Sequence, residues 1–279
     1  MAPTQRRSFL WQIRHLCLVV AFCVGLSHTA AAQVAGTVEK LLGQAQYLAP
    51  DVPAQPLREG QTVQVGATII TSTGSETHLD MADGGMLAIR PQTHFTIAQY
   101  NAAKGTEARM ELNLLQGALR SITGWISQFN AGGYRITTPT ATVGIRGTDH
   151  EVTVLLDAEE NDVAGTYDSV HEGATVLRNR TGDALELQAG EDGIVESAQE
   201  AAPRRMDVRP GFFLRRKLLL EERVEQRRAV VLQRLQEALA QHPEKLQALR
   251  ERMQRLAPAQ REALKRQLRR QHKTRPHGQ

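Results

Sequence analysis

The stretch YRITTPTATVGIRGTDHEVTVLL, residues 134–156, decides how this chain is read. It alternates from Tyr134 to Thr137 and ends in the β-branched run Val152-Thr153-Val154 before two leucines. Period-two alternation with β-branched side chains marks half-buried strands. Pro139 has no N–H to give to a central ladder. Gly144 and Gly147 permit a tight bend or a positive φ just ahead of Thr148. Residues 134–137 and 148–156 are therefore expected as two strands joined by a compact corner. No nucleophile, metal cage or phosphate cradle is visible in the stretch.

The same texture continues outward. Short alternating runs occupy residues 34–40, 44–48, 62–65, 68–71, 77–81, 86–90, 95–99, 109–115 and 118–122, and again 169–170, 175–178, 184–187 and 190–195. Asp83-Gly84 falls between two of them, a strong hairpin signal. Residues 51–56 hold Pro53 and Pro56 and are expected as a loop. Many short strands with little helix signal predict a mainly β fold, a sandwich, roll or barrel. At about 160 residues such a module can bury its own core.

Several of these pieces carry a resemblance. TPTATVGIRGTDHEV (residues 138–152) resembles the closing motif of the FecR-type domain, named for the ferric-citrate regulator of Gram-negative bacteria. GATIITSTGSETHLDMADGGMLAIRP (66–91) and LNLLQGALR (112–120) fit the same pattern, and EGATVLRNRTGDALELQAGEDGIV (172–195) resembles the tail that often follows it. The similarity spans residues 34–195, with its core over 66–156. Its most specific parts are Asp83-Gly84 and Arg146-Gly147-Thr148. The resemblance implies a periplasmic binding and signalling domain without catalysis. FecR-type regulators pass a signal from an outer-membrane transporter, through a membrane-spanning segment, to a sigma factor. Only the periplasmic part of that pattern is matched, and a short basic segment stands where those regulators carry a sigma-factor-binding region. His150 also departs from the family, which usually has an aromatic residue there.

Residues 1–32 read as a signal peptide. Arg6 and Arg7 form a basic start, residues 16–26 a short apolar core, and Ala30-Ala31-Ala32 a small-residue cleavage site, so the mature chain is expected to begin at Gln33. The apolar run is shorter than the roughly 20 residues a spanning helix needs. Residues 5–10, QRRSFL, also resemble a twin-arginine signal, but Arg14 and His15 interrupt it and the ordinary secretory route is preferred. Both cysteines, Cys17 and Cys23, lie inside this segment. The exported chain thus has no disulfide framework and no cysteine metal site. A soluble periplasmic protein with no transmembrane segment is expected.

Charge divides what remains. Residues 33–203 carry 10 Lys+Arg against 22 Asp+Glu, a net of −12; residues 204–279 carry 21 against 8, a net of +13. Such a split argues for two modules. The expected organisation is a β domain over 33–200, a linker at 201–211, a basic helical or coiled segment over 212–271, and a disordered tail at 272–279. Leu220, Val224, Val231, Leu235 and Leu239 recur on one helical face, interrupted by Arg227 and Arg228. His242-Pro243 closes that helix, and Leu246, Leu249, Met253 and Leu256 then follow an a/d spacing.

Nine histidines in an exported chain invite a metal reading. A pair such as His78/Asp80 supplies at most two of the three or four ligands needed. His78, His94 and His171 are expected as polar positions facing solvent, with no metal and no cofactor. His150 shares a face with Val152, Val154 and Leu156, so burial with a hydrogen bond in the core is preferred to a pH-sensitive or partner contact. No G-x-S-x-G elbow occurs, and Gly132-Gly133 precede a strand rather than a helix. The basic tail lacks aromatic interleaving and lies beyond the reach of nucleic acid once exported. The leading reading is a non-catalytic binding and signalling module of the cell envelope with a protein partner. The alternative is a structural envelope protein, attached through its basic helices to peptidoglycan or anionic lipid. A secreted hydrolase with an unrecognised site is the third.

Overall fold

The computed structural model describes residues 33–50, 52–159, 162–198, 201–215, 219–244, 247 and 251. The expected signal peptide with its expected cleavage residue Ala32, and the tail from residue 252, lie outside the described residues. The strands are β1 (Val34–Leu42), β2 (Ala45–Ala49), β3 (Val52–Pro56), β4 (Thr62–Gln64), β5 (Thr68–Thr71), β6 (Glu76–Met81), β7 (Met86–Ile89) and β8 (His94–Asn101). Then come β9 (Arg109–Ile122), the short helix α1 (Ile126–Phe129), β10 (Tyr134–Thr137), β11 (Ala141–Ile145), β12 (Asp149–Leu155) and β13 (Gly165–Glu172). The chain continues through β14 (Ala174–Asn179), β15 (Ala184–Gln188), β16 (Asp192–Glu196), β17 (Arg204–Met206), α2 (Gly211–Arg215) and α3 (Glu221–Ala240).

The strands form two sheets that share β9. One runs β4-β1-β6-β7-β9-β12-β13-β16-β17. The other runs β3-β2-β5-β8-β9-β10-β11-β14-β15. Every pairing is antiparallel except β9 with β10. The first half of β9 pairs with β8 and β10, and the second half with β7 and β12. The crossing point is Gly117 at φ +86, where a Cβ would lie 2.5 Å from the Thr93 Cα. Only glycine fits a backbone that must both turn left-handed and approach another chain so closely. Thr93 secures the bend, its hydroxyl receiving the Ala118 N–H at 3.0 Å.

Inward side chains of both sheets make one core. Val38, Leu79, Leu87, Ile89, Leu119, Val152 and Val154 from the first sheet meet Ile69, Phe95, Ile97, Leu112, Tyr134, Ile136 and Val143 from the second. Each large apolar side chain buried this way contributes roughly 1.5–3 kcal/mol. The fold is mainly β, as the alternation predicts, with α2 and α3 following the last strand.

Four details differ from the sequence reading. Residues 52–56 are a strand, not a loop; β3 is an exposed edge, where its prolines interrupt no inner ladder. The corner after Thr137 contains a whole strand, β11, and Gly144 lies inside it rather than at a break. Residues 109–115 and 118–122 are one bent strand. Leu156 falls past the end of β12 and is 54% exposed, so it does not share the core face of His150.

Candidate functional site

β12 is buried along its whole length, on both faces. Val152 and Val154 enter the shared core, while Leu155 packs outward with Tyr167, Ile194, Phe212 and Phe213. By strand alternation Asp149, Glu151 and Thr153 also point outward. The outer face of this sheet is therefore not solvated, and what covers it is the segment after β17.

That face is ionic. Arg90 gives Nη2 to Glu151, and Arg120 forks Asp149, with Nε to Oδ1 and Nη2 to Oδ2 each at 2.8 Å. Glu76 and His78 pair at 2.6 Å with both side chains fully buried. Burial works against the Asp149 anion, yet the Arg120 guanidinium outweighs it and holds the carboxyl below the usual carboxylate range. Burial pushes the Glu151 carboxyl the other way, upward. Burial also pushes His171 down to about 4, against the pull of Asp149.

α3 lies across this face. Its Val224 and Val231 are fully buried against Met86, Ala88 and Ile122. All four arginines of the helix turn inward: Arg223 to Glu39, Arg227 and Arg234 to Asp80, and Arg228 to Asp149 and Glu172. Arg120 answers with an ion pair to Glu225 at 2.8 Å. Glu221, Glu222 and Glu237 are exposed. The N-terminal approach is pinned by the Leu219 N–H, donated to Glu76 Oε2 at 2.6 Å, and by Phe212 edge-on to Tyr167 at 4.8 Å. At the other end the His242 ring meets Phe129 at 4.9 Å, and Lys104 donates to Gln241 at 3.0 Å. Chemically the face is a receptor for a helix that carries arginines around an aliphatic stripe.

Residues 67–175 match the family model of the FecR protein. This FecR region is less than half of the chain; it starts just before β5, ends within β14, and leaves α2 and α3 outside. It holds every ionic residue of the sheet face except Glu39. No curated protein matches the sequence. Two crystal structures of a candidate anti-sigma factor from Parabacteroides distasonis, at 2.50 and 1.65 Å, are similar at 16% identity and a TM-score of 0.37. The likeness covers 50% of this chain and 58% of theirs. At that score it carries no argument.

The motif residues of the FecR region occupy two separate places. Asp83 and Gly84 form the β6–β7 turn: Asp83 accepts the Gly85 N–H at 3.2 Å and the Tyr100 hydroxyl at 3.1 Å. Burial raises the Asp83 pKa, opposed by those hydrogen bonds. The second place is the corner. Arg146 is exposed, Gly147 has φ +67, and Thr148 gives its N–H to the Thr123 hydroxyl at 2.8 Å. Pro139 sits half-buried in the β10–β11 turn, beside the Thr138 hydroxyl that receives the Ala141 N–H. Gly144 needs no glycine, since a Cβ there would meet only Val176, at 3.8 Å and beyond. Gln33 is at the start of the described chain, its carbonyl accepting the Val65 N–H at 2.9 Å.

His150 is fully buried between the sheets, its Nδ1 2.9 Å from Asp168 Oδ1, while Thr175 donates to the other carboxylate oxygen. His78, expected to face solvent, is buried too. Among the described residues no group of three or more His, Cys, Asp or Glu is placed to hold a metal ion. No described helix is long and apolar enough to cross a membrane.

Sequence reasoning passed over Arg90, Arg120, Asp149 and Glu151 as carriers of the face. A signal existed: Asp149 and Glu151 alternate with core residues in the same run as Val152 and Val154, opposite a tail of inverse charge.

Proposed function

We propose that the protein is an exported, non-catalytic binding and signalling module of the cell envelope, and that its ionic sheet face recognises a protein partner. The observation that carries this reading is the grip on α3. Six carboxylates (Glu39, Glu76, Asp80, Asp149, Glu151 and Glu172) face two guanidiniums of the sheet, Arg90 and Arg120, and the helix supplies four more. Charge and shape are matched to a basic amphipathic helix, which is how a surface selects one partner over others. The match of residues 67–175 to the FecR protein supports a regulatory role.

The reading places the mature chain in the periplasm from Gln33 onward. Attachment to peptidoglycan or anionic lipid is the weaker reading for α3, whose arginines are already engaged by the sheet. The test is cross-linking in intact cells followed by purification of the envelope fraction, with N-terminal sequencing of the recovered protein. A defined partner cross-linked through the α3 side, on a chain beginning at Gln33, is expected. Recovery only as an uncleaved inner-membrane chain, or a cross-link pattern unchanged by Asp80→Lys, would overturn the reading.

A further inference from the structure

Beside the ionic face, where β7 and β12 end and β9 bends, lies a cavity of about 490 Å³. Its size is within the range of small-ligand pockets, roughly 300–1,000 Å³. The space exists because Ala118, opposite Thr153 in the ladder, puts only a methyl group where Arg120, two residues on, fills the same face. Arg90 lines the cavity and is 6% exposed. Its Nη2 is taken by Glu151, but Nε and Nη1 have no acceptor. Leaving buried donors unmet is costly, more so on a charged group. The walls are Pro91, Leu155, Leu156 and Leu219, and the two last are exposed by half or more. Asp157 and Glu159 also line it and add negative charge.

We propose that this cavity binds a small monocarboxylate with an apolar body, its carboxylate accepting from Arg90 and its body lying along Leu155, Leu156 and Leu219. The buried guanidinium supplies the acceptor-seeking charge, and the leucines supply the apolar wall. Asp157 and Glu159 repel a multiply charged anion such as phosphate more strongly than a monocarboxylate, which favours the single charge. The site shares Arg90 with the ionic face under α3, but small-molecule binding there is read without any protein partner.

The experiment is calorimetric titration of the purified full-length protein with hexanoate and with N-acetylleucine, with hexanol and inorganic phosphate as controls. Saturable binding of at least one carboxylate, with neither control binding, is expected; which carboxylate wins separates a fatty acid from a peptide terminus. Ala118→Leu fills the cavity beside Arg90, whose backbone N–H donates to the Ala118 carbonyl at 3.0 Å, and should weaken binding by at least about tenfold. Should that variant fail to fold, Leu156→Glu at the exposed wall should weaken binding in the same way. Absence of saturable binding, hexanol binding as well as hexanoate, or affinity unchanged in the folded variant each overturns the proposal.

Discussion

Arg120 on β9 and Asp149 on β12 are joined side-on, both guanidinium–carboxylate contacts at 2.8 Å, on two side chains almost sealed from water. The pair lies at the centre of the face that α3 covers. Removing one partner of a buried ion pair strands the other's charge and typically costs about 3–5 kcal/mol. Asp149→Ala is expected to lower stability on that scale in urea unfolding. Because the folded carboxyl titrates below its unfolded value, its contribution is present above the unfolded pKa and is lost as pH falls through the folded one. The difference between wild type and variant should therefore shrink on acidification.

His171 gives a second pH signature. Its folded pKa of about 4 lies below the ordinary value of 6.5. The unfolded chain therefore takes up the proton first, and stability falls as pH drops from 6.5 towards 4. His171→Gln should remove a slope worth roughly 2–3 kcal/mol across that window. Thermal midpoints of the two proteins at pH 7 and pH 4.5 check it, and parallel curves would refute it.

Arg228 faces both Asp149 and Glu172. Arg228→Glu turns attraction into repulsion at the middle of α3, while Val224 and Val231 still favour docking. Limited proteolysis should cut within α3 faster in the variant than in wild type. In wild type, cutting should accelerate with salt, because pairs such as Arg223–Glu39 and Arg234–Asp80 are partly exposed and are screened over about 8 Å at physiological ionic strength.

Two glycines of the corner should behave oppositely. Gly147 has φ +67 and a Cβ there would sit 2.3 Å from the Gln128 side chain, so Gly147→Val should cost about 1–3 kcal/mol. Gly144 has open contact and ordinary strand backbone, so Gly144→Ala should be neutral or stabilise by up to about 1 kcal/mol. Equal midpoints for the two variants would show that φ at Gly147 is not the controlling feature.

His150 holds Asp168 inside the core, with Thr175 on the other oxygen. His150→Phe supplies an aromatic ring but leaves a buried carboxylate short of a partner, at a cost of about 1–3 kcal/mol. The double variant His150→Phe with Asp168→Val should recover part of that loss in denaturant unfolding. A double variant no better than the single one would place the cost in packing alone.

Alternation and turn chemistry determined the β class, most strand positions and the Asp83-Gly84 turn, because those depend on local backbone preference and on a two-residue period. The same logic found the helix through Leu220 and Leu239, and the charge split at residue 203. It could not join residues 109–115 to 118–122, since a strand bent at Gly117 between two sheets reads locally as two strands. Nor could it tell Gly144 from Gly147, because a positive φ is imposed by neighbours such as Thr123 and Gln128 that arrive from elsewhere in the chain. The ionic face was hidden for the same reason. Asp149, Glu151, Arg90 and Arg120 look like solvated alternate positions until α3 lies over them, and Arg227 and Arg228 look like defects in an apolar stripe until Asp80, Asp149 and Glu172 stand opposite. Local sequence sets which residues can point outward; only the tertiary fold decides whether water or another element waits there.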